Sequence, residues 1–327
     1  MLFLSMIDHA IFLLFHCNVK YTERSAVAVR QEINGYSKIK YGEVIMEFCL
    51  NLCDIFTALI REYECIENLI SVAENKRKIK YRRICLGSYF CDTYFIKNIK
   101  NMLVSTYPYC QENDIKITLT LPVFSESRLN DGLDLIDELL IQYKDVIDEV
   151  TVNDIGMLQY ISKKNNLATN QGRMMQKYTR DIRYANYSDD RFQYCGYMDK
   201  YESFVEAVEF DICSKSMEIH IGRKKTIIHR NYQYTTMGRI CWFAGLNRCV
   251  RNKFNLNSLC DESCGRFFLN YIDREGRMFY QVGKAVFSEV FSSEIKTDSE
   301  IRFADFPLYL WIDKYSSLKI NAEERTW

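Results

Sequence analysis

Short apolar runs of strand length alternate with segments of helical periodicity along most of this chain, and that alternation restricts the fold more than any other feature. Strands joined through helices build a parallel sheet, because parallel neighbours need a crossover connection. Residues 43–50 (EVIMEFCL) read as a first strand, and 54–76 follow with Ile55, Leu59, Ile60, Ile66 and Ile70 at helical spacing. Strands are expected at 82–87, 116–124, 147–154, 167–174, 205–212, 217–221 and 226–232, with helices near 93–105, 131–145 and 155–164. Residues 266–283 alternate around Arg274-Glu275-Gly276 like a hairpin, and EIRFADF (300–306) is expected to be the last barrel strand. About eight strands alternating with helices over 43–306 predict an α/β fold, a (β/α)8 barrel of the TIM type. Residues 1–42 stand apart as an extension, and 307–327 as a C-terminal tail.

A chain of 327 residues with 48% apolar content has enough material for one large core. Three prolines and 13 glycines leave little for flexible linkers. The 43 basic residues are matched by 43 acidic ones, which argues against broad coating of nucleic acid and leaves room only for a local basic groove. The apolar start MLFLSMIDHAIFLLFHC lacks a basic opening and a small-residue cleavage site, and Asp8 and His9 interrupt it. It therefore reads as neither an export signal nor a membrane span, and a cytoplasmic location is expected.

In that setting 13 cysteines read as reduced thiols rather than a disulfide framework. Four of them form a pattern. Cys260 and Cys264 are a C-x3-C pair, Cys241 lies 19 residues earlier, and Cys91 stands alone 150 residues before Cys241. One isolated sulfur plus a downstream group of three is how a fold, rather than a local loop, assembles a four-thiolate site. Four thiolates suit either zinc or an iron–sulfur cluster. Cys17, Cys49, Cys53, Cys65, Cys85, Cys110, Cys195, Cys213 and Cys249 read as small buried hydrophobes.

Several segments bear a wider likeness. ICLGSYFC (84–91), VNDIGMLQYI (152–161), GRMMQK (172–177), AVEFDI (207–212) and TTMGRIC (235–241) with the C-x3-C that follows resemble the collagenase-like peptidase family, unknown-mechanism peptidase family 32. Within it the likeness is greatest to the V-type subunit of the oxygen-independent ubiquinone hydroxylation proteins. The resemblance implies a [4Fe–4S] cluster on Cys91, Cys241, Cys260 and Cys264, with zinc as the alternative cofactor. It also implies work beside a second protein of the same family, in hydroxylation or a related redox modification. The family name keeps a peptidase as the alternative, and a noncatalytic barrel with structural zinc is a third reading. A small molecule and a tRNA both stay open as substrate. The stretch between Cys241 and Cys260 is longer than expected for the V-type subunit, and residues 1–42 have no counterpart.

Asp154, Arg173, Glu209 and Arg239 are the candidate substrate-binding residues, because strand ends and the loops after them form the working face of a parallel barrel. His220 and His229 lie in strand-like runs, where a lone histidine usually serves structure. Tyr178, Tyr184, Tyr187, Tyr194, Tyr197 and Tyr201 read as a loop over the barrel mouth. Neither a Ser–His–Asp order nor a zinc-protease, P-loop or dinucleotide motif occurs, which weighs against a conventional hydrolase.

Overall fold

A computed structural model describes residues 47–164, 167–176, 203–212, 217–219, 221, 224–238, 241–246, 260–290, 295–297 and 299–323. The expected extension 1–42, Arg239, His220 and the tyrosines of 178–201 lie outside these residues. The described chain belongs to one unit, Ile45–Trp327.

Eight parallel strands close into a barrel. They are β1 (Glu47–Asn51), β2 (Arg83–Gly87), β3 (Lys116–Thr120), β4 (Ile147–Val152), β5 (Ala168–Gln171), β6 (Ala207–Asp211), β8 (Lys225–Arg230) and β14 (Ile301–Asp305). They follow one another around the barrel in that order, and β14 pairs back onto β1 with Glu47 opposite Arg302. This is the expected (β/α)8-type architecture.

The connecting helices are α1 (Phe56–Tyr63), α2 (Ile66–Arg77), α3 (Asp92–Glu112), α4 (Leu129–Gln142) and α5 (Ile155–Ile161). The single helix expected over 54–76 is broken in two. Glu64 adopts φ +69 with its amide on the Ile60 carbonyl, and Cys65 is extended before α2 restarts. Apolar periodicity runs through the break because both helices bury a face, so periodicity alone does not reveal it. Helix α3 runs past the expected 93–105 and through Pro108, burying Met102, Leu103, Thr106 and Cys110 on the way.

Alternation along each strand sorts apolar from polar side chains. Leu50, Ile84, Leu86, Ile117, Leu119, Val150, Val152, Val208 and Phe210 are fully buried apolar positions. Between them stand Arg83, Thr118, Glu149, Thr151 and Glu209, which bond to one another across strands, and Asn51, which bonds to His229; together they fill the interior with polar groups. At the N-terminal end, Arg302 Nη1 donates to both Glu149 oxygens at 2.7 and 2.8 Å, and Arg302 Nε to Glu47 at 2.6 Å. Thr118 Oγ1 donates to Glu149 at 3.0 Å, Asn170 donates to the same carboxylate, and Arg83 forks onto Asp148 at 2.5 and 3.0 Å. Most interiors of this fold are filled by branched apolar side chains. Here a charged plug closes that end.

Two further sheets stand outside the barrel. β10 (Leu269–Ile272), β11 (Met278–Val282), β12 (Ala285–Glu289) and β9 (Tyr232–Met237) form an antiparallel sheet, of which β10 and β11 are the expected 266–283 hairpin. β7 (Met217–Ile219) pairs in parallel with β13 (Ile295–Thr297) and not with the barrel. α6 (Trp242–Leu246) follows Cys241. α7 (Leu308–Glu323) begins directly after the barrel closes, with Leu308, Leu310 and Trp311 buried and Trp311 edge-on to Phe268 at 5.1 Å. Among the described residues no helix is long and apolar enough to cross a membrane.

Candidate functional site

Two groups of side chains gather at the C-terminal ends of the barrel strands. The first lies inside the barrel. Thr151 Oγ1 donates to Glu209 Oε1 at 2.7 Å, Glu209 Oε2 lies 3.0 Å from His229 Nε2, and His229 Nδ1 lies 3.4 Å from Asn51 Nδ2. An amide nitrogen only donates, so His229 Nδ1 accepts, and Nε2 carries the proton toward Glu209. Burial lowers the His229 pKa to about 4, the Arg173 charge helps, and Glu209 opposes them incompletely. Arg173 itself is buried and ion-paired with Asp211, whose Oδ1 accepts from the Tyr234 amide at 3.0 Å and so ties β9 to the barrel. The Arg173 guanidinium also lies 5.5 Å from the Tyr89 ring and 5.8 Å from those of Tyr234 and Phe287.

Tyr89 stands edge-on to His229 at 5.5 Å, within electrostatic reach of Glu209, Cys53, Cys85 and Arg173. Its buried hydroxyl has no hydrogen-bond partner among the described residues. An orphaned polar atom at the centre of a barrel mouth is where a bound group or ordered water finds a contact.

His229 has a pH signature with a fixed sign. Its folded pKa lies below its ordinary 6.5, so the stability it contributes is complete above 6.5 and is lost as pH falls toward 4. At full effect this amounts to about 3 kcal/mol. Urea unfolding of His229→Gln across pH 7.5 to 4 should show a flatter loss of stability than the wild type. Equal slopes would place the proton uptake elsewhere.

The second group lies at the rim, two residues from Tyr89. Cys91 is the residue before α3, so its sulfur sits at the positive end of a 21-residue helix. Ser88 Oγ accepts from the Cys91 amide at 2.9 Å and the Phe90 amide at 3.2 Å, and donates to Asp54. Burial pushes the Asp54 carboxyl up to about 6 against the hydrogen bonds of Ser88 and of the Tyr89 and Phe90 amides. Burial likewise raises the Cys91 thiol to about 11, with the Lys284 charge and the Tyr94 amide pulling the other way. The Cys241 thiol is raised by burial, offset in part by the Ala244 and Phe243 amides at the start of α6 and by Lys284.

Cys264, on the turn Ser263–Gly265, is the meeting point. Its thiol is raised by burial and then by the charges of Cys91, Cys241 and Cys260 together. Four cysteines from three distant parts of the chain thus share one electrostatic neighbourhood. Among the described residues no three His, Cys, Asp or Glu side chains form a group that would hold a single metal ion.

Of the candidate substrate residues, Arg173 and Glu209 face the same interior through Tyr89 and His229. Asp154 instead caps α5, accepting from the Met157 amide at 2.8 Å. Cys49, Cys53, Cys85 and Cys110 are buried as expected, and Cys65 is half-buried. Sequence reasoning missed Tyr89, Asp54 and Lys284. Only the first carries a signal, since Tyr89 lies inside the same ICLGSYFC run as Cys91.

No family model matches the chain, and no curated protein does. A solved structure similar to it is that of the U32 peptidase Mk0906, with a TM-score of 0.34 and 11% identity, covering 62% of this chain and 74% of that one. At that level of likeness nothing is taken from the neighbour, and the barrel rests on its own strand pairing.

Proposed function

We propose that this chain is an iron–sulfur barrel whose Cys91, Cys241, Cys260 and Cys264 hold a [4Fe–4S] cluster. Its work would be oxygen-independent hydroxylation or a related redox modification, beside a second protein of the same family and in the cytoplasm. The observation that carries the reading is that Cys264, on the turn after Cys260, lies within electrostatic reach of Cys91, Cys241 and Cys260. What supports the reading is the donor chemistry: Cys91 and Cys241 each precede a helix, and the Lys284 charge acts on both thiols. Four thiolates can hold a cluster or a zinc ion, and the likeness of the cysteine pattern favours the cluster.

When bound, such a cluster supplies one-electron transfer at a potential set by burial and nearby charge. The chain's own residues do the rest. Lys284 and the helix starts at Cys91 and Cys241 offset thiolate charge, and Phe90, against Tyr234 at 4.8 Å and Phe287 at 5.7 Å, screens the interior. The Ser88–Cys91 segment joins the two groups, with Tyr89 inside the barrel and Cys91 at the rim. Arg173, Tyr89 and Glu209 are therefore the proposed contacts for a small-molecule substrate. Asp154 and Arg239 are secondary candidates, and a tRNA would have to be read outside this interior.

Anaerobic purification with analysis for iron, sulfide and zinc tests the reading directly. Wild-type protein is expected to carry about four irons and four sulfides per chain, and Cys264→Ala to lose most of both. One zinc without sulfide would return the site to the structural-zinc or peptidase alternatives. Equal metal content in both proteins would sink the four-cysteine assignment.

A further inference from the structure

We infer that Asn98 is a positioning residue for the cysteine site, acting through the carboxylate of Glu262. The inference rests on the four-cysteine reading and adds a residue to it. Glu262 lies between Cys260 and Cys264 and adopts φ +56, a left-handed conformation uncommon for a residue with a Cβ. Its side chain is held from α3, the helix that starts at Cys91. Asn98 Nδ2 donates to Glu262 Oε2 at 3.1 Å and to the Tyr94 carbonyl at 3.0 Å. Lys97 Nζ donates to the Cys260 carbonyl at 2.9 Å and pairs with Glu262 Oε1 at 3.0 Å. One carboxylate thus fastens the loop bearing two of the thiols to the helix bearing a third. Asp261 tightens the same loop, accepting from Ser263 Oγ at 2.7 Å.

The two clamps differ in weight. Lys97 and Glu262 are 42% and 36% exposed, and an ion pair in that setting contributes little. Asn98 is buried, so its hydrogen bond to a charged acceptor is the stronger one. Removing Asn98's donor should therefore free the loop, whereas removing Lys97's charge should hardly move it.

The decisive variant is Asn98→Asp, equal in size, which turns a donor toward Glu262 into a repelling carboxylate. Adding Glu262→Gln exchanges donor and acceptor and should restore the contact. The probe is iodoacetamide on the metal-free protein, with Cys260 and Cys264 followed by peptide mass spectrometry. Alkylation of both is expected to speed up about tenfold or more in Asn98→Asp, to return close to wild type in the double variant, and to change less than about twofold in Lys97→Met. Because a buried carboxylate beside Glu262 also destabilises the fold, the control is Cys49, buried in β1. Its alkylation reports global opening and should stay far slower than that of Cys260 and Cys264 in every variant.

Unchanged alkylation in Asn98→Asp overturns the inference, as does a faster rate that the double variant fails to restore. Alkylation of Cys49 as fast as that of Cys260 and Cys264 would show a structural role only. Because the readout needs no bound group, a wild-type protein without iron would defeat the cluster reading and leave this inference still decided by the alkylation rates. Where iron is bound, its loss to a chelator should follow the same order among the variants.

Discussion

Glu149→Gln is expected to lower the free energy of unfolding by about 3–5 kcal/mol, because it removes one partner from a buried charge network. The carboxylate is 6% exposed and accepts two bonds from Arg302, one from Thr118 and one from Asn170, with Arg83 at 3.9 Å. Burial on its own would raise its pKa. The charges of Arg83 and Arg302 outweigh burial and hold it below the ordinary carboxylate range. A glutamine keeps the volume and abolishes the charge, leaving two guanidinium groups to share Glu47 and Asp148. Against a total stability of about 5–15 kcal/mol that loss would be severe.

The sign with pH follows from the same balance. The stability from Glu149 is present above the ordinary carboxylate pKa and is lost as pH falls through its depressed folded value. Urea titration at pH 7.5 measures the main effect, with Lys100→Met as the contrast. That substitution breaks the exposed Lys100–Glu138 pair and should cost less than about 1 kcal/mol. Similar small losses in both would mean that water reaches the barrel floor and screens the plug.

The barrel was legible because its strands alternate and its connections repeat. EFCLN, RICLG, KITLT and AVEFD each place apolar residues at every second position, and EIRFADF closes the ring where the pattern predicts it. Of the outer sheet only the 266–283 hairpin was legible. The sheet's strands β9 and β12, YQYTTM and AVFSE, are as long as the barrel strands but owe their pairing to each other rather than to any period of their own. The run 217–221 reads as one more barrel strand, yet β7 pairs with β13, because strand propensity does not name the partner.

The four cysteines stand out in the sequence by their order alone, since neither local structure nor burial is needed to see an isolated sulfur and a later group of three. Asp154 shows the opposite case. A carboxylate three residues before an amide at a helix start has a capping role available, and the chain uses it. Tyr89 stands in a run the sequence singled out, yet its role was not legible for another reason. Its place inside the barrel depends on how the backbone bends after β2, and that bend is set by one glycine.

Gly87 adopts φ +125, outside the region open to other residues, and closes β2 opposite Thr120 of β3. A Cβ built there would lie 2.1 Å from the Thr120 carbonyl oxygen and 3.0 Å from its carbon, both backbone atoms that cannot swing aside. The same carbonyl accepts the Ser88 amide at 3.1 Å, and the Gly87 carbonyl accepts the Asp54 amide at 3.3 Å. Gly87→Ala therefore has two costs, a strained backbone and a forced parting of β2 from β3, together more than about 3 kcal/mol. The displacement falls where it matters most, because Ser88, Tyr89 and Cys91 hang on the next four residues. Unfolding by urea is expected to show the loss of stability. Metal analysis of whatever folded protein remains should show less iron than wild type even at temperatures where the barrel survives. A Gly87→Ala protein as stable as wild type and equally loaded would mean that the β2–β3 seam yields at this point, and that the approach of Ser88 to the Thr120 carbonyl does not set the position of Cys91.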